Sequence, residues 1–438
     1  MKAFLLATAL LGPALFGQAA GAFTGPAVLT NGLNNVGRRS GQDVDFRYFA
    51  SANGIYDTGL SPFQLDSDGK LLKPDPVEGV EIGYGAYGSH NFRRSRLGLD
   101  YSGSYRNYTN NFNYDGNSQM LALGYTLQAS RRWMLDMRAD AGSQIYGTAF
   151  GPAFPGSGNP VDSTSMLFDN RTTYLQGSVH ATYLLSPRTS ITVGGNGSKT
   201  NREAQALAGT VGYTATASIQ HQLSRDFFVS VSYYHMHYDF TRQFGNSDSN
   251  NYMISFTKNF GRTWSATIGG GAFTSSVTSL QLIPLPPDLQ EILGIPALPV
   301  ISHHENVLPL YQISLSKQFR KSSFNASASS MVNQGNGVYL TSRQQSIGGS
   351  YAYTGFRNFS LSAGVGWAKL NSLGQGLSPY AQLNASANLT YNLGLGINLT
   401  AAYYHRHQEV VTGNYLTDSS RVSFGIAYSP SSIPLSFH

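Results

Sequence analysis

Two short runs carry the side chains best suited to chemistry. Tyr233-Tyr234-His235-Met236-His237 and Tyr403-Tyr404-His405-Arg406-His407 each set two histidines two positions apart. In a strand both imidazoles of a pair share one face and could hold a metal ion. Yet each pair continues an apolar face, Val229-Val231-Tyr233 in one case and Leu399-Ala401-Tyr403 in the other, and amphipathic rings there suit a membrane–water boundary. His303 and His304, adjacent in an expected loop, point differently and form no better site. Ser178, His180 and Thr182 share a strand face, so a hydroxyl–imidazole contact is conceivable, but no acid stands beside them to complete a nucleophilic set. Gly83, Gly85 and Gly88 alternate with Ile82, Tyr84 and Ala86 inside a strand, and no helix follows to bind a phosphate. The sequence therefore predicts no catalytic residue, no metal site, no cofactor and no enzyme.

The elements that position these residues are strands. Between Val44 and Tyr428 the chain repeats runs of about ten to sixteen residues in which every second side chain is apolar. Around Gly394, for example, Leu395, Ile397, Leu399, Ala401 and Tyr403 alternate with Gly396, Asn398, Thr400, Ala402 and Tyr404. Tight turns are expected at Ser89–Arg94, Ser130–Arg132, Ser186–Arg188, Ser224–Asp226, Phe260–Arg262, Phe319–Lys321, Gly355–Arg357 and near Gly394. Between them fall longer connections, centred near residues 57–78, 108–117, 147–170, 199–206, 240–250, 275–306, 333–342, 370–379 and 410–418. Strict alternation of short turns with long loops predicts an all-β, up-and-down antiparallel barrel of about eighteen strands (16–18) with one short-turn rim and one long-loop rim.

Composition selects the solvent around that barrel. Only 12% of the 438 residues are charged while 41% are hydrophobic and 12% aromatic; soluble domains carry roughly 25% charge. Lipid replaces a protein core on the outer face of a transmembrane barrel, so such a chain needs neither many charges nor continuous apolar runs. Cys is absent, so strand pairing must hold the fold without disulfides. Lys2, the apolar stretch Phe4–Phe16 and the small residues Ala20-Gly21-Ala22 read as a secretory signal over residues 1–22, with cleavage expected after Ala22 or, failing that, Ala20. Residues 23–42 then form an N-terminal periplasmic segment and 43–438 one barrel domain.

The last long strand, Arg421-Val422-Ser423-Phe424-Gly425-Ile426-Ala427-Tyr428, carries a polar residue, a glycine and an aromatic at Ser423, Gly425 and Tyr428. In this, and in its turn–loop rhythm, the chain resembles the Gram-negative outer-membrane β-barrel proteins, porin-like channels among them. The resemblance covers nearly the whole mature chain as architecture; the departure is a tail running through Ser429 and Pro430 to His438. It implies an outer-membrane location, short periplasmic turns and long extracellular loops. The implied partners are outer-membrane lipids, the assembly machinery and small hydrophilic solutes, with no nucleic acid and with room for a homo-oligomer. Porin-like channels pass small solutes passively or with weak selectivity. An export outlet, for polysaccharide for instance, and a non-conducting structural or adhesion barrel are the other readings.

Charge then locates a candidate site. The short turns carry Arg93, Arg94, Arg131, Arg132, Arg188, Arg225, Arg262, Arg320, Lys321 and Arg357, whereas most acids fall in the long loops, Asp57, Asp66, Asp68, Asp75, Asp115, Asp162, Asp248, Glu291, Glu305 and Asp418 among them. On the lumen-facing parity, charge is confined to Asp45, Arg47, Glu81, Arg96, Asp100, Arg106, Asp136, Arg138 and Asp140 on early strands and Arg406 and Arg421 on the last two. Closure makes the last strand neighbour to the first, so these residues form one wall patch. It either braces the wall by ion pairing or lines a constriction. The opposite wall is neutral, with Gln220, Gln222, Ser314, Ser316, Gln318, Asn325, Gln382, Asn384 and Asn388. One long connection, Ser279–His304, is unusually apolar and holds Pro287, Asp288, Leu289, Glu291 and Leu293 with Pro and Gly placed to start and stop a short helix. An apolar loop of this kind is expected to bury itself: folding into the lumen as a constriction is the first reading, covering the mouth or contacting a neighbouring barrel the others.

Overall fold

A computed structural model describes residues 44–435 except 60–63, 66–70, 73–75, 110–114, 146–170, 206, 287, 289, 292–296, 334–337, 376, 411–414 and 431–432. The expected signal sequence and N-terminal segment lie outside the described residues. Eighteen long strands run β1 Val44–Asp57, β2 Val77–Asn91, β3 Ser95–Tyr108, β4 Gly116–Leu127, β5 Trp133–Ile145, β6 Arg171–Ser186, β7 Thr189–Arg202, β8 Gly209–Ser224, β9 Phe227–Thr241, β10 Gly245–Phe260, β11 Trp264–Pro284, β12 Ala297–Gln318, β13 Ser322–Asn333, β14 Ser342–Tyr353, β15 Phe359–Ser372, β16 Tyr380–Gly394, β17 Ile397–Val410 and β18 Tyr415–Tyr428. Each pairs antiparallel with its sequence neighbours, and β18 returns to pair with β1, from Ala50 opposite Tyr428 to Asp57 opposite Arg421. The ladder is closed. Short extra pairings join Gln64–Leu65 to Leu71–Leu72 and lay Ile433–Leu435 along the start of β1.

Alternation becomes two faces. Side chains such as Ile82, Leu123, Val179, Val231, Ile254, Ile268, Ile313, Ile347 and Val365 stand exposed on the outside, in a band bounded by aromatics. Toward the short turns these are Trp133 with Tyr183 and Tyr48 with Tyr428; toward the long loops, Tyr233 with Tyr252. An apolar band between two aromatic girdles is what a lipid-embedded barrel presents. Among the described residues no helix is long and apolar enough to cross a membrane. All eight tight turns fall where the sequence places them. In the last of them Leu395 adopts φ 53° between Gly394 and Gly396, which also have positive φ, so Leu395 begins the turn's exit and not the strand.

Three features depart from the sequence reading. The connection expected at 240–250 shrinks to residues 242–244, because Arg242 and Gly245 supply positive-φ positions that reverse the chain quickly. The segment expected as a loop at 279–304 is mostly strand: β11 and β12 pair continuously from Trp264 opposite Lys317 to Pro284 opposite Ala297. Its β-branched and apolar residues extend a hairpin instead of folding inward, and Leu280, Leu298, Val300 and Ile301 stay exposed. β12 itself meets β13 only from Tyr311 to Gln318. Third, repetition, which the sequence alone shows as the hairpin period with the two histidine runs as its nearest extension, goes further. The stretch β7–β10 recurs in β15–β18 with constant spacing: His235 and His405, Asp248 and Asp418, and the bulges at Gln222/Ser224 and Asn392/Gly394 all correspond without a gap.

Facing can be tested on adjacent residues of β12. Ile313→Arg, directed into lipid, should destabilise the barrel by about 2–4 kcal/mol if it lies near the midplane. Ser314→Arg, directed into the lumen, should fold in liposomes with near wild-type yield.

Candidate functional site

The lumen patch is assembled across the closure seam. On the parity that points inward, β17 brings Arg406, β18 Arg421, β1 Asp57, β2 Glu81 and β3 Arg106. Glu81 Oε2 accepts from Arg106 Nη2 at 2.7 Å and from Arg421 Nη2 at 3.2 Å. The two guanidinium side chains are only 2% and 8% exposed, so one carboxylate holds two desolvated cations together. Arg106 also lies 5.8 Å from the centre of the Tyr108 ring, a cation–π distance. Asp57 is buried and its carboxylate accepts from the Gly59 amide at 2.9 Å. Arg406, 2% exposed, donates to Ser419 Oγ at 3.3 Å and to the Gly59 carbonyl at 3.5 Å. Asp57 escaped the sequence reading, which placed it in an acidic loop; β1 extends far enough to put it in the wall.

The remaining charged residues are distributed along the same side of the lumen. Arg138 Nε bonds both Asp140 oxygens, at 2.8 and 2.7 Å, a pair two residues apart on one strand face. Asp136 accepts from Thr126 Oγ1 at 2.9 Å and lies opposite His180 in the β5–β6 register. Arg96 donates to Ser89 at 3.3 Å near the short-turn end, while Asp100 and Arg47 sit in the inward series of β3 and β1. The side chain of Asp45 lies outside those described. Bracing by ion pairing is thus what the geometry gives Glu81, Arg106, Arg421, Arg138 and Asp140. Asp100 and Asp136 lie on the same inward-facing wall, on β3 and β5.

A second structure inside the barrel comes from connections that the sequence did not single out. Leu340 packs on Ala208 and Phe240; Tyr339 packs with Leu370 and Tyr380; Leu373 joins Phe273, Val277 and Val332, flanked by Met236, Leu308 and Leu310. Residues 338–341 and 373–375 therefore lie against the inner wall from β8 to β16. Polar tethers fix them: Ser279 Oγ donates to the Gly374 carbonyl at 2.9 Å, Asn306 Nδ2 to the Leu373 carbonyl at 3.0 Å, and the Leu340 amide to Gln375 Oε1 at 2.8 Å. The apolar residues Tyr339, Leu340 and Leu373 look ordinary in sequence; only their burial marks them. Of the loop residues singled out instead, Asp288 and Glu291 are exposed in a short helical turn, and Pro287, Leu289 and Leu293 lie outside the described residues.

The histidine runs make matching contacts on the outer face. His237 Nδ1 is 2.7 Å from Asp248 and His407 Nδ1 is 2.7 Å from Asp418; His235 and His405 reach Asn250 and Ser420 at 3.0 Å each. Among the described residues no group of three or more metal-ligating side chains converges.

No family model and no characterised sequence matches the chain. Among solved structures it is similar to Pseudomonas aeruginosa OpdL, with 12% identity over 90% of this chain and 99% of that one and a TM-score of 0.41. Acinetobacter baumannii OccAB1 gives 9%, 92%, 100% and 0.42. Pseudomonas aeruginosa OccK2 (OpdF), solved in complex with glucuronate, gives 9%, 88%, 98% and 0.43. The class of this protein rests on its own ladder: a closed eighteen-strand antiparallel barrel with an apolar exterior.

Removing the shared carboxylate tests the seam. Glu81→Gln should cost about 3 kcal/mol, because Arg106 and Arg421 would face each other desolvated. Urea unfolding in detergent should show it, while Asp140→Asn, whose partner is more exposed, should cost less.

Proposed function

We propose that this chain is an outer-membrane channel for passive or weakly selective passage of small hydrophilic solutes, and not an enzyme. The observation that carries the reading is the closed eighteen-strand ladder with a hydrophilic inner parity. A barrel of this size is too wide for wall side chains to fill, and the inward residues here are largely Gly, Ser, Thr and Asn. Its solute path lies between the charged seam and the inward connections 338–341 and 373–375. The apolar exterior and aromatic girdles support placement in the outer membrane, with the short turns toward the periplasm.

The lumen charges nearly cancel. Acids and arginines alternate along the wall, so the acidic long-loop mouth, with Asp100, Asp136 and Arg138 at mid-depth, sets only a modest cation preference at low salt that fades as the Debye length falls below its physiological value of about 8 Å. Neutral polar solutes should also pass. The buried clusters around Leu340 and Leu373 favour a second reading, a barrel sealed by its own connections.

Planar-bilayer recordings separate the two. The channel reading expects ohmic single-channel currents, a cation-positive reversal potential in a salt gradient, and loss of that preference in an Asp100→Asn, Asp136→Asn variant. Leu340→Asp with Leu373→Asp, which releases the inward connections from the wall, should raise conductance severalfold. Silence of the wild type at every voltage, with current in the released variant, would instead establish the sealed barrel.

A further inference from the structure

The short-turn rim has a charge pattern that the transport reading does not use. Its ten turn cations, Arg93 through Arg357, are all exposed, and among the described residues no acid pairs with them. The single acid in these turns, Asp226, makes no ion pair either. On most of the circumference these cations sit only in the turns. Across β10–β13 two more rise onto the lipid-facing wall.

Lys317 Nζ lies 4.2 Å from the centre of the Trp264 ring and 5.1 Å from that of Phe319. Lys258 Nζ lies 5.7 Å from Phe227 and 6.0 Å from Phe260. Both lysines have outward parity: Lys258 follows Tyr252, Ile254 and Phe256 on β10, and Lys317 follows Ile313 and Leu315 on β12. The register puts Lys317 directly opposite Trp264 and Lys258 opposite Ala266, so β11 alone separates them. Two strand spacings are about 10 Å. Just below, the turns add Arg262, Arg320 and Lys321, the last held by its ammonium to the Gly355 carbonyl at 3.2 Å. Five cations and three exposed aromatic rings thus share one patch, and the one acid at its edge, Asp226 beside Phe227, forms an ion pair with none of them.

A lysine on a lipid-facing wall is tolerated only at the interface, where its ammonium reaches the headgroups and its stem lies along apolar surface. Aromatic rings hold such an ammonium at that level. Since among the described residues no acid pairs with these cations, the bilayer is the source of their counter-charge. Building on the proposed membrane orientation, we propose that the outward face of β10–β13 at the short-turn rim is a binding site for the phosphate headgroup of an anionic glycerophospholipid. Lys258 and Lys317 grip the phosphate from the wall, Arg262, Arg320 and Lys321 from beneath, and the acyl chains run up beside Ala266, Ile268 and Ile313. A soluble periplasmic polyanion would meet the turns but not the two wall lysines, which face hydrocarbon and rings.

Full-length protein reconstituted in phosphatidylcholine vesicles doped with spin-labelled phosphatidylglycerol or spin-labelled phosphatidylcholine tests this by electron spin resonance. Wild type should immobilise the anionic probe preferentially, and Lys258→Gln with Lys317→Gln should lower that preference by about fivefold for each cation removed. Arg131→Gln with Arg132→Gln, on a rim segment without wall lysines, should leave it unchanged. Equal loss in both variants would show a diffuse rim effect and overturn the site, as would competition by inorganic phosphate at near-physiological salt as effective as by lipid. Heat-modifiable mobility on gels confirms that each variant is folded. Conductance recorded on the same preparations separates the two proposals: a silent barrel that still selects phosphatidylglycerol defeats the channel and leaves the lipid site, whereas a conducting barrel without lipid preference does the reverse.

Discussion

In hydrocarbon, a backbone amide or carbonyl has no water to fall back on, and each one left unpaired costs several kcal/mol. Closure of the ladder is the solution here, and the rest of the molecule follows from it. β18 has to find β1, and the seam between them is where the chain spends its most specific chemistry. Gly425 stands there because a Cβ would fall 2.1 Å from the Ala52 carbonyl oxygen. Thr400 reaches across β18 to Asn53 at 3.1 Å, and Ser420 exchanges hydrogen bonds with Thr58 just beyond the end of β1. Glu81, bonded to arginines from β3 and β18, then spans the seam inside the lumen. Polar contacts on the inner face thus reinforce a join that the apolar outer face cannot specify.

The same constraint separates the protein's charges into three settings. Inside, they are paired and partly desolvated, so they contribute shape and registry more than net field. In the turns, they are solvated and basic but for Asp226. On the outer wall, they lie toward the two ends, with lysines among rings toward the short turns and, toward the long loops, histidine–aspartate pairs together with residues such as Lys199 and Glu78. Those last pairs occur twice because the β7–β10 stretch recurs, and in both copies the same cross-strand contacts form. Matched geometry at two places eight strands apart indicates that the spacing itself encodes the contact.

Much of this was legible in the sequence because strand facing has a period of two and turns have their own residues. Strand parity assigned Glu81, Arg106 and Arg421 to one wall, and Gly, Pro, Asn and Arg placed the turns. What was not legible depends on contacts made at a distance. Nothing local distinguishes Leu340 or Leu373 from any other loop leucine; their role comes from meeting Phe240 and Phe273 on remote strands. The 279–304 stretch misled for the opposite reason. Its leucines and isoleucines suit burial and suit a long hairpin equally well, and pairing partners, not composition, chose the hairpin. Asp57 fell on the wrong side of a boundary only a residue or two from the end of β1.

The tall β11–β12 hairpin has one more consequence. Where β12 parts from β13, its residues 297–310 pair with a strand on one side only among the described residues. The projecting hairpin, with residues 280–284 of β11 one-sided as well, therefore exposes strand edges, and an unpaired edge is a template on which a neighbouring chain can add a strand. Pro299 and Pro309 stand on this stretch, and each withholds the amide proton that strand addition requires. Barrels crowded into one membrane plane collide constantly through their projecting parts. The two prolines disfavour addition of a further strand to the projecting side of the hairpin.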